Sequence, residues 1–286
     1  MIQEIGTLTA HGAKDFLRMW RTDVPLGPRP FRRHAHSRFE IAVVDSGRGT
    51  YTTEQRVYPM EPGDVFVFCA NEVHCITACR DTPLQITNLQ FEPGCFAGQP
   101  DAEHFAGLCF SHAPDFENRI PAAGAQVLRE KIRAVQEELE RGHTFHTAAV
   151  RACLNLALVE LFRNHGYCPR TPKPCPFDML AVHDYVNQHL CEKITLQAVA
   201  DLVHLSPNYF SHLFKACNGL SLWDYITARR VEKAAHLICA RDRHLTVLSI
   251  ALQCGFNSAV QFNKAFKKHT GLTPSQLRRN PDLLNN

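Results

Sequence analysis

Three absences narrow the field before any motif is read. No uninterrupted apolar run in the 286 residues approaches the roughly 20 that a helix needs to span a bilayer, so no membrane partner is expected. The opening residues 1–20 mix Glu, Lys, Asp and Arg among their apolar neighbours, where a secretory signal would hold a continuous apolar stretch; a cytoplasmic protein is expected. A strong net charge is missing too: the formal value is +3. The twelve cysteines do not form a disulfide or zinc framework. Cys75 and Cys79, and Cys168 and Cys175, lack a second pair at zinc spacing, while Cys153, Cys239 and Cys254 fall at helical core positions. Free cysteine in a cytosolic protein behaves as a small buried hydrophobe, and no cysteine here stands in a charge setting that the sequence shows to be reactive.

The charge that is present is unevenly placed. Residues 1–175 carry 19 Lys and Arg against 20 Asp and Glu, net −1, whereas residues 176–286 carry 12 against 8, net +4. A chain of this length holds two domains with separate cores, and a basic excess in one half is the footprint that a nucleic-acid contact needs. Between the halves, residues 168–176 contain four prolines and read as an extended spacer. This places a sensor domain at residues 1–167 and a second domain at 177–286.

From residue 31 to about 91 the texture is β: short apolar runs at 40–44, 65–68 and 84–91 are separated by Gly and Pro turns at 46–49 and 62–64. Such strands favour an antiparallel sandwich or barrel over a parallel sheet. Residues two apart on a strand share a face, so His34, His36, Arg38 and Glu40 would point one way on an unbroken strand. The spacing of Gly27, His34, His36, Glu40 and Gly47, with His74 after the Pro62–Gly63 turn, resembles a cupin. Three readings stay open for this constellation. It is a polar pocket for a hydroxylated small molecule, a metal site of imidazoles and a carboxylate, or a set of polar strand-end residues.

Two helices follow. One, at about 122–141, carries Leu128, Ile132, Val135 and Leu139 on a stripe close to a heptad seam. The other, at about 147–162, is apolar on more than one face, which calls for packing onto the β-domain or for a dimer interface.

The last third of the chain contains one unit twice. Shifted by 52 residues, Phe210 falls on Phe262, Phe214 on Phe266, Lys215 on Lys267 and Gly219 on Gly271; shifted by 51, Thr195 falls on Thr246, Val199 on Ile250 and Ala200 on Ala251. Thr195, Ser206 and Thr246 are N-caps, Pro207 occupies a first helical turn, His204–Leu205 makes a turn, and Gly255 suits a left-handed helix end. In each second helix the phenylalanines point inward. Asn208, Ser211, His212 and Lys215 then share the outer face in the first copy, and Val260, Asn263, Lys264 and Lys267 in the second. Residues 221–239 read as one connecting helix with Trp223, Ile226, Ala234, Leu237 and Ile238 inside. At roughly 27 Å it suits two recognition helices about one DNA turn, roughly 34 Å, apart.

This duplicated helix-turn-helix resembles the DNA-binding domain of the AraC/XylS family of bacterial transcription regulators over about the last 105 residues, most specifically over 250–274. The resemblance implies that Asn208, Ser211, His212, Val260, Asn263 and Lys264 read bases and that Lys215 and Lys267 hold phosphates. It also implies a cupin-like sensor domain, dimerisation through helices at about 122–165, and RNA polymerase as a partner. The expected fold is α+β: an N-terminal cupin-like antiparallel β-barrel with C-terminal helices, then an all-α domain with two helix-turn-helix motifs. The expected function is a non-enzymatic, homodimeric, sequence-specific regulator of a double-stranded DNA operator, working as an activator. Its effector would be a small molecule, a carbohydrate foremost, held by His34, His36, Arg38, Glu40 and His74. No metal or cofactor is required on this reading. Within the family the His34–His36 region most resembles the rhamnose-responsive branch. The alternatives are a metal-dependent cupin enzyme fused to a DNA-binding domain, and a metal- or redox-sensing regulator.

Overall fold

The computed structural model describes residues 2–10, 13–24, 36, 38–70, 72–79, 81–92, 95, 116–165, 176–239 and 245–280. The chain divides into two compact units, with the main break between Pro174 and Cys175; residues 168–175 of the proline-rich stretch expected to link them, Gly27 and His34 lie outside the described residues.

The first unit is antiparallel β with two helices. Its strands are β1 (Ile2–Ala10), β2 (Ala13–Val24), β3 (Phe39–Ser46), β4 (Gly49–Thr53), β5 (Val57–Met60), β6 (Val65–Phe68), β7 (His74–Ala78), β8 (Leu84–Phe91) and β9 (Arg119–Ile120). They form two sheets, one in the order β1-β2-β8-β3-β6-β9 and one in the order β5-β4-β7. This corrects the expected barrel: among the described residues no hydrogen-bonded ladder joins the two sheets. The first two strands, whose charged residues hide the apolar alternation, were not legible in the sequence.

Register decides what faces the space between the sheets. Glu40 pairs with Phe68 on one side and with Gln90 on the other, and Gln90 pairs with Arg18, so these four side chains form one row. Ala42, Phe66 and Asn88 make the next row on the same face. Tyr51, on β4 of the smaller sheet, packs against Phe66 and Phe68 with ring centroids 4.6 and 4.9 Å away, which identifies this face as the inner one.

The opposite face carries Met19, Val43 and Thr87 and is covered by α1 (Gln126–Arg141), whose buried stripe is Leu128, Ile132 and Val135. That helix starts four residues later than its sequence suggests, because residues 121–125 form a turn in which Gly124 and Ala125 donate to the Pro121 carbonyl. The buried carboxylate of Asp64 anchors this turn. It accepts from Arg119 Nε at 2.8 Å and from the Glu61 and Ala122 amides at 2.9 Å, so a charge inside the fold is fully hydrogen-bonded. Helix α2 (His146–Asn164) buries Val150, Leu154, Ala157, Leu158 and Leu161.

The second unit is helical: α3 (Met179–Gln188), α4 (Leu196–Leu202), α5 (Pro207–Asn218), α6 (Leu222–Cys239), α7 (Val247–Gln253), α8 (Ala259–Thr270) and α9 (Pro274–Arg279). Thr195, Ser206 and Thr246 occupy N-cap positions as expected, but the Ser206 side chain accepts no cap hydrogen bond. Asp178, Thr195, Thr246 and Ser258 each accept a hydrogen bond from the backbone N–H three residues on. The turns of the two copies use the same backbone trick with different residues: His204 has φ 56° where the second copy has Gly255 at φ 83°. Histidine is among the side chains that tolerate this left-handed region.

Helix α6 is continuous, as expected, but its buried side is Leu222, Tyr225, Ile226, Ala228, Val231, Ala234, Ala235 and Ile238. Trp223 is 49% exposed, a correction to the sequence reading. Position 222 takes the inward place one residue earlier, and the helix period carries Trp223 outward.

The core of the first copy includes a polar pair. His183 of α3 is buried, and its Nδ1 lies 2.5 Å from Tyr225 Oη of α6. Burial, with the nearby Arg229 charge, lowers the His183 pKa from 6.5 to about 3. The unfolded chain therefore binds one more proton than the folded one between about pH 6.5 and 3, and stability rises with pH through that window. Between pH 6 and 5, unfolding free energy is expected to fall by up to about 1.4 kcal/mol per pH unit from this group. His183→Gln should remove that slope; urea midpoints of both proteins across the interval check it.

Candidate effector pocket and nucleic-acid interface

Polar side chains of both sheets gather in the space between them. Gln90 Nε2 donates to Glu40 Oε2 at 2.6 Å, both side chains buried. His74, from β7 of the smaller sheet, places Nε2 4.0 Å from Glu40 Oε1. Its Nδ1 is 2.9 Å from the Glu72 carbonyl oxygen, so Nδ1 is the donor of that bond and fixes the orientation of the ring. The imidazole stacks on Phe68 with ring centroids 4.2 Å apart.

Tyr51 completes the group. It is fully buried, and its hydroxyl has no hydrogen-bond partner among the described residues. Burial first, and then the Glu40 carboxylate, raise the Tyr51 pKa well above its ordinary value, so the phenol stays a hydrogen-bond donor. Acceptor, donors and imidazole thus gather beside the Phe66 and Phe68 rings.

The expected effector residues fare unequally. Glu40 and His74 come together. His36, half-buried, precedes the strand, and a ligand atom of each of His36, Glu40 and His74 lies within 4.8 Å of the others. Those three residues are the ones able to hold a metal ion among the described residues. Strand β3 begins only at Phe39, so His36 and Arg38 do not share a strand face with Glu40. Arg38 is buried and pairs instead with Glu92, Nε to Oε1 at 3.3 Å.

Tyr51 and Gln90 were missed because each reaches the cluster from a strand distant in sequence. Alternation along β4 or β8 identifies an inward residue without saying what it meets. On the other side of the larger sheet a groove of about 640 Å³ opens between the sheet and α1, with Arg21, Asp45, Thr87, Glu130, Arg133 and Glu137 among its lining.

In the second unit the outer rows of α5 and α8 are as expected. Asn208, His212 and Lys215 are exposed and Ser211 half-buried; Val260 is 78% exposed, and Asn263, Lys264 and Lys267 are exposed. None of the eight side chains has a hydrogen bond or ion pair among the described residues, whereas Phe210, Phe214, Phe262 and Phe266 are buried behind them. Tyr209 and Gln261, one residue along in each helix, share these surfaces. Two successive polar-faced helices, each seated on its own aromatic core, have the form of a tandem DNA reader.

Comparison with known proteins agrees. Residues 199–280 match the helix-turn-helix domain family, and residues 29–145 match the AraC-like ligand binding domain. The chain belongs to the AraC family. It is 26% identical over 282 residues to the HTH-type transcriptional activator RhaS of Escherichia fergusonii, covering 94% of this chain and 96% of that one. It is 25% identical over 252 residues to the HTH-type transcriptional activator RhaR of Escherichia coli, covering 87% of each. The solved structure of ToxT from Vibrio cholerae shares the fold, with a TM-score of 0.61 at 11% identity over 92% of this chain and 97% of that one. An AraC-family chain with both parts is a DNA-binding transcription regulator carrying a ligand-binding domain, and the family is not one of enzymes. That removes the fused cupin enzyme as an alternative.

The pocket geometry yields a stability contrast. Tyr51→Phe deletes a hydroxyl that has no partner among the described residues, so it should change unfolding free energy by less than about 1 kcal/mol in either direction. Gln90→Leu strips a donor from the buried Glu40 carboxylate and should cost about 1–3 kcal/mol. Urea denaturation of the effector-free variants measures both; a large loss in the first would mean that the phenol is already engaged.

Proposed function

We propose that this AraC-family regulator is an activator whose effector is a small polyhydroxylated molecule bound between the two sheets of its first unit. The observation that carries this reading is the buried Tyr51 hydroxyl, a donor that has no hydrogen-bond partner among the described residues and that feels the charge of the Glu40 carboxylate. A ligand hydroxyl both donates and accepts, so one such group is able to satisfy Tyr51 and a carboxylate together, with Gln90 and His74 offering further partners. A carbohydrate meets that description. His36 stands beside the same group, and Arg38, held by Glu92, buttresses it rather than touching the effector.

The second unit engages an operator through α5 and α8 in successive major-groove segments. Asn208, Ser211, His212, Val260, Asn263 and Lys264 reach base edges, and Lys215 and Lys267 hold phosphates. Activation implies contact with RNA polymerase, and the site of action is the cytoplasm. Dimerisation is assigned to the helices after the β-domain: Ala148, Ala152 and Leu156 line an outward stripe of α2, with Leu156 53% exposed. The effector shifts the protein between two arrangements that present the recognition helices differently.

A second reading has an observation of its own. The grouping of His36, Glu40 and His74 is also a ligand set for a divalent metal, with His74 oriented through Nδ1 by the Glu72 carbonyl as metal-bound histidines commonly are. On this reading the regulator senses the metal.

Thermal shift of the full chain separates the two. A sugar that raises the melting point, by about 2.7 kcal/mol of stabilisation at 100 times its Kd, should lose that effect in Tyr51→Phe and keep it in the presence of a chelator. A shift produced by Zn²⁺, Fe²⁺ or Ni²⁺ alone and abolished by Glu40→Gln would decide for the metal. On the DNA side, Lys264→Ala or His212→Ala should cost about 1–3 kcal/mol at one operator position. Lys267→Ala should weaken operator and random DNA alike and lower the salt slope by about 1. Anisotropy titrations in which both kinds of variant act identically on the two DNAs would defeat the assignment.

A further inference from the structure

Two cysteines in the second unit sit in a charged setting that DNA recognition does not use. Cys191 is exposed, in the loop between α3 and α4. The Nζ of Lys233, on α6, lies 2.9 Å from its sulfur. The sulfur is therefore accessible to small oxidants, with a cationic side chain held against it. The loop is also held in place from below. Arg230 Nε donates to the Leu190 carbonyl and Nη2 to the Glu192 carbonyl, both at 2.8 Å, so one guanidinium grips the residues on either side of Cys191.

Cys254 stands across the same guanidinium. It closes α7 and is fully buried. The next residue, Gly255, is packed so tightly that a Cβ there would lie 2.9 Å from Arg230 Cζ and 2.9 Å from the Leu190 carbonyl oxygen. The segment carrying Cys254 therefore meets the segment carrying Cys191 over Arg230. The two sulfurs also share their electrostatic neighbours: Lys233, Cys191 and Arg230 all act on the Cys254 thiol, whose pKa burial pushes up to about 12. Near neutral pH that thiol keeps its proton, so of the two cysteines the exposed one, touching Lys233, is the one placed to react first.

We propose that Cys191 and Cys254 form a reversible dithiol site, with Cys191 the nucleophile toward hydrogen peroxide and Cys254 the thiol that resolves it. The Cys191 thiolate attacks one peroxide oxygen, the O–O bond breaks, and the departing hydroxide takes a proton to leave as water, giving a sulfenic acid. The Cys254 sulfur then attacks the Cys191 sulfur and displaces hydroxide, which accepts the Cys254 proton and leaves as a second water. Two thiols have been oxidised to one disulfide and one peroxide reduced to two waters. The bond ties the loop that enters the first helix-turn-helix to the turn of the second, drawing that turn out of the packing that aims α8.

Peptide mapping of the full chain tests this. The protein is treated with hydrogen peroxide, remaining thiols are alkylated, and the digest is analysed without reductant. The expected product is a Cys191–Cys254 cross-link that dithiothreitol reverses and that Cys191→Ser abolishes. Cys191 is exposed, so that variant keeps the core intact. Lys233→Gln, also at an exposed position, should leave the fold unchanged but slow both the cross-link and the alkylation of Cys191, and Lys233→Arg should restore both. Operator affinity of the oxidised protein should fall several-fold and return on reduction. The proposal is overturned if Cys191 remains freely alkylatable after peroxide, if it stops at sulfenic or sulfinic acid, or if it pairs with another cysteine. Cross-linked protein that binds operator with undiminished affinity would overturn the link to DNA binding.

Discussion

The geometry of the second unit turns on one guanidinium. Arg230 projects from α6, donates to two carbonyls of the loop that leads into α4, and packs against the glycine that turns α7 into α8. The loop before the first helix-turn-helix, the connecting helix and the turn of the second thus converge on a single side chain. Arginine suits the task because its planar fork makes two hydrogen bonds in a fixed orientation, which a lysine cannot do. Burial lowers the Arg230 pKa below the ordinary guanidinium value, with the two flanking cysteines acting in the opposite direction. Gly255 is required on two counts, a φ of 83° and the absence of room for a Cβ.

Around that point the two copies are built alike but finished differently. In the first, the outer face of α4 carries Gln197 bonded to Asp201 at 2.7 Å; the equivalent positions of α7 are Leu248 and Leu252, both exposed. The aromatic cores diverge as well. The first copy surrounds Phe210 and Phe214 with Phe177, His183 and Tyr225, whereas the second packs Phe262 and Phe266 against Phe256 and aliphatic residues of α6. Duplication preserved what the backbone needs, the caps and the left-handed turns. The groups facing outward and the partners of the phenylalanines were free to change.

The first unit follows a different logic. Its interior is apolar at most positions, and one group of its buried polar side chains, Glu40, Gln90, His74 and Tyr51, gathers between the two sheets. Burying a carboxylate and a phenol is costly unless both find partners. Glu40 has one in Gln90, and Tyr51 is left for a ligand to satisfy. Asp64 shows the contrast: its three donors are supplied entirely by the chain, as expected of a carboxylate whose work is structural.

Much of this was legible from residue order alone. Helix caps, the left-handed glycine, the repeat and the outward row of each recognition helix are local features, set by spacings of three or four residues that any helix enforces. The strands at 39–46, 65–68 and 84–91 were legible for the same reason, whereas β1 and β2 were not, because charges interrupt their apolar alternation. What only the tertiary structure decided is which distant residues meet. Tyr51 and Gln90 join Glu40 through strand register, Arg38 turns to Glu92, Lys233 reaches Cys191, and Arg230 seats Gly255. Periodicity says which way a side chain points, but the identity of its neighbour depends on how separate segments pack. That contact, rather than the residue type, determines whether a carboxylate is structural or receptive and whether a thiol is inert or poised to react.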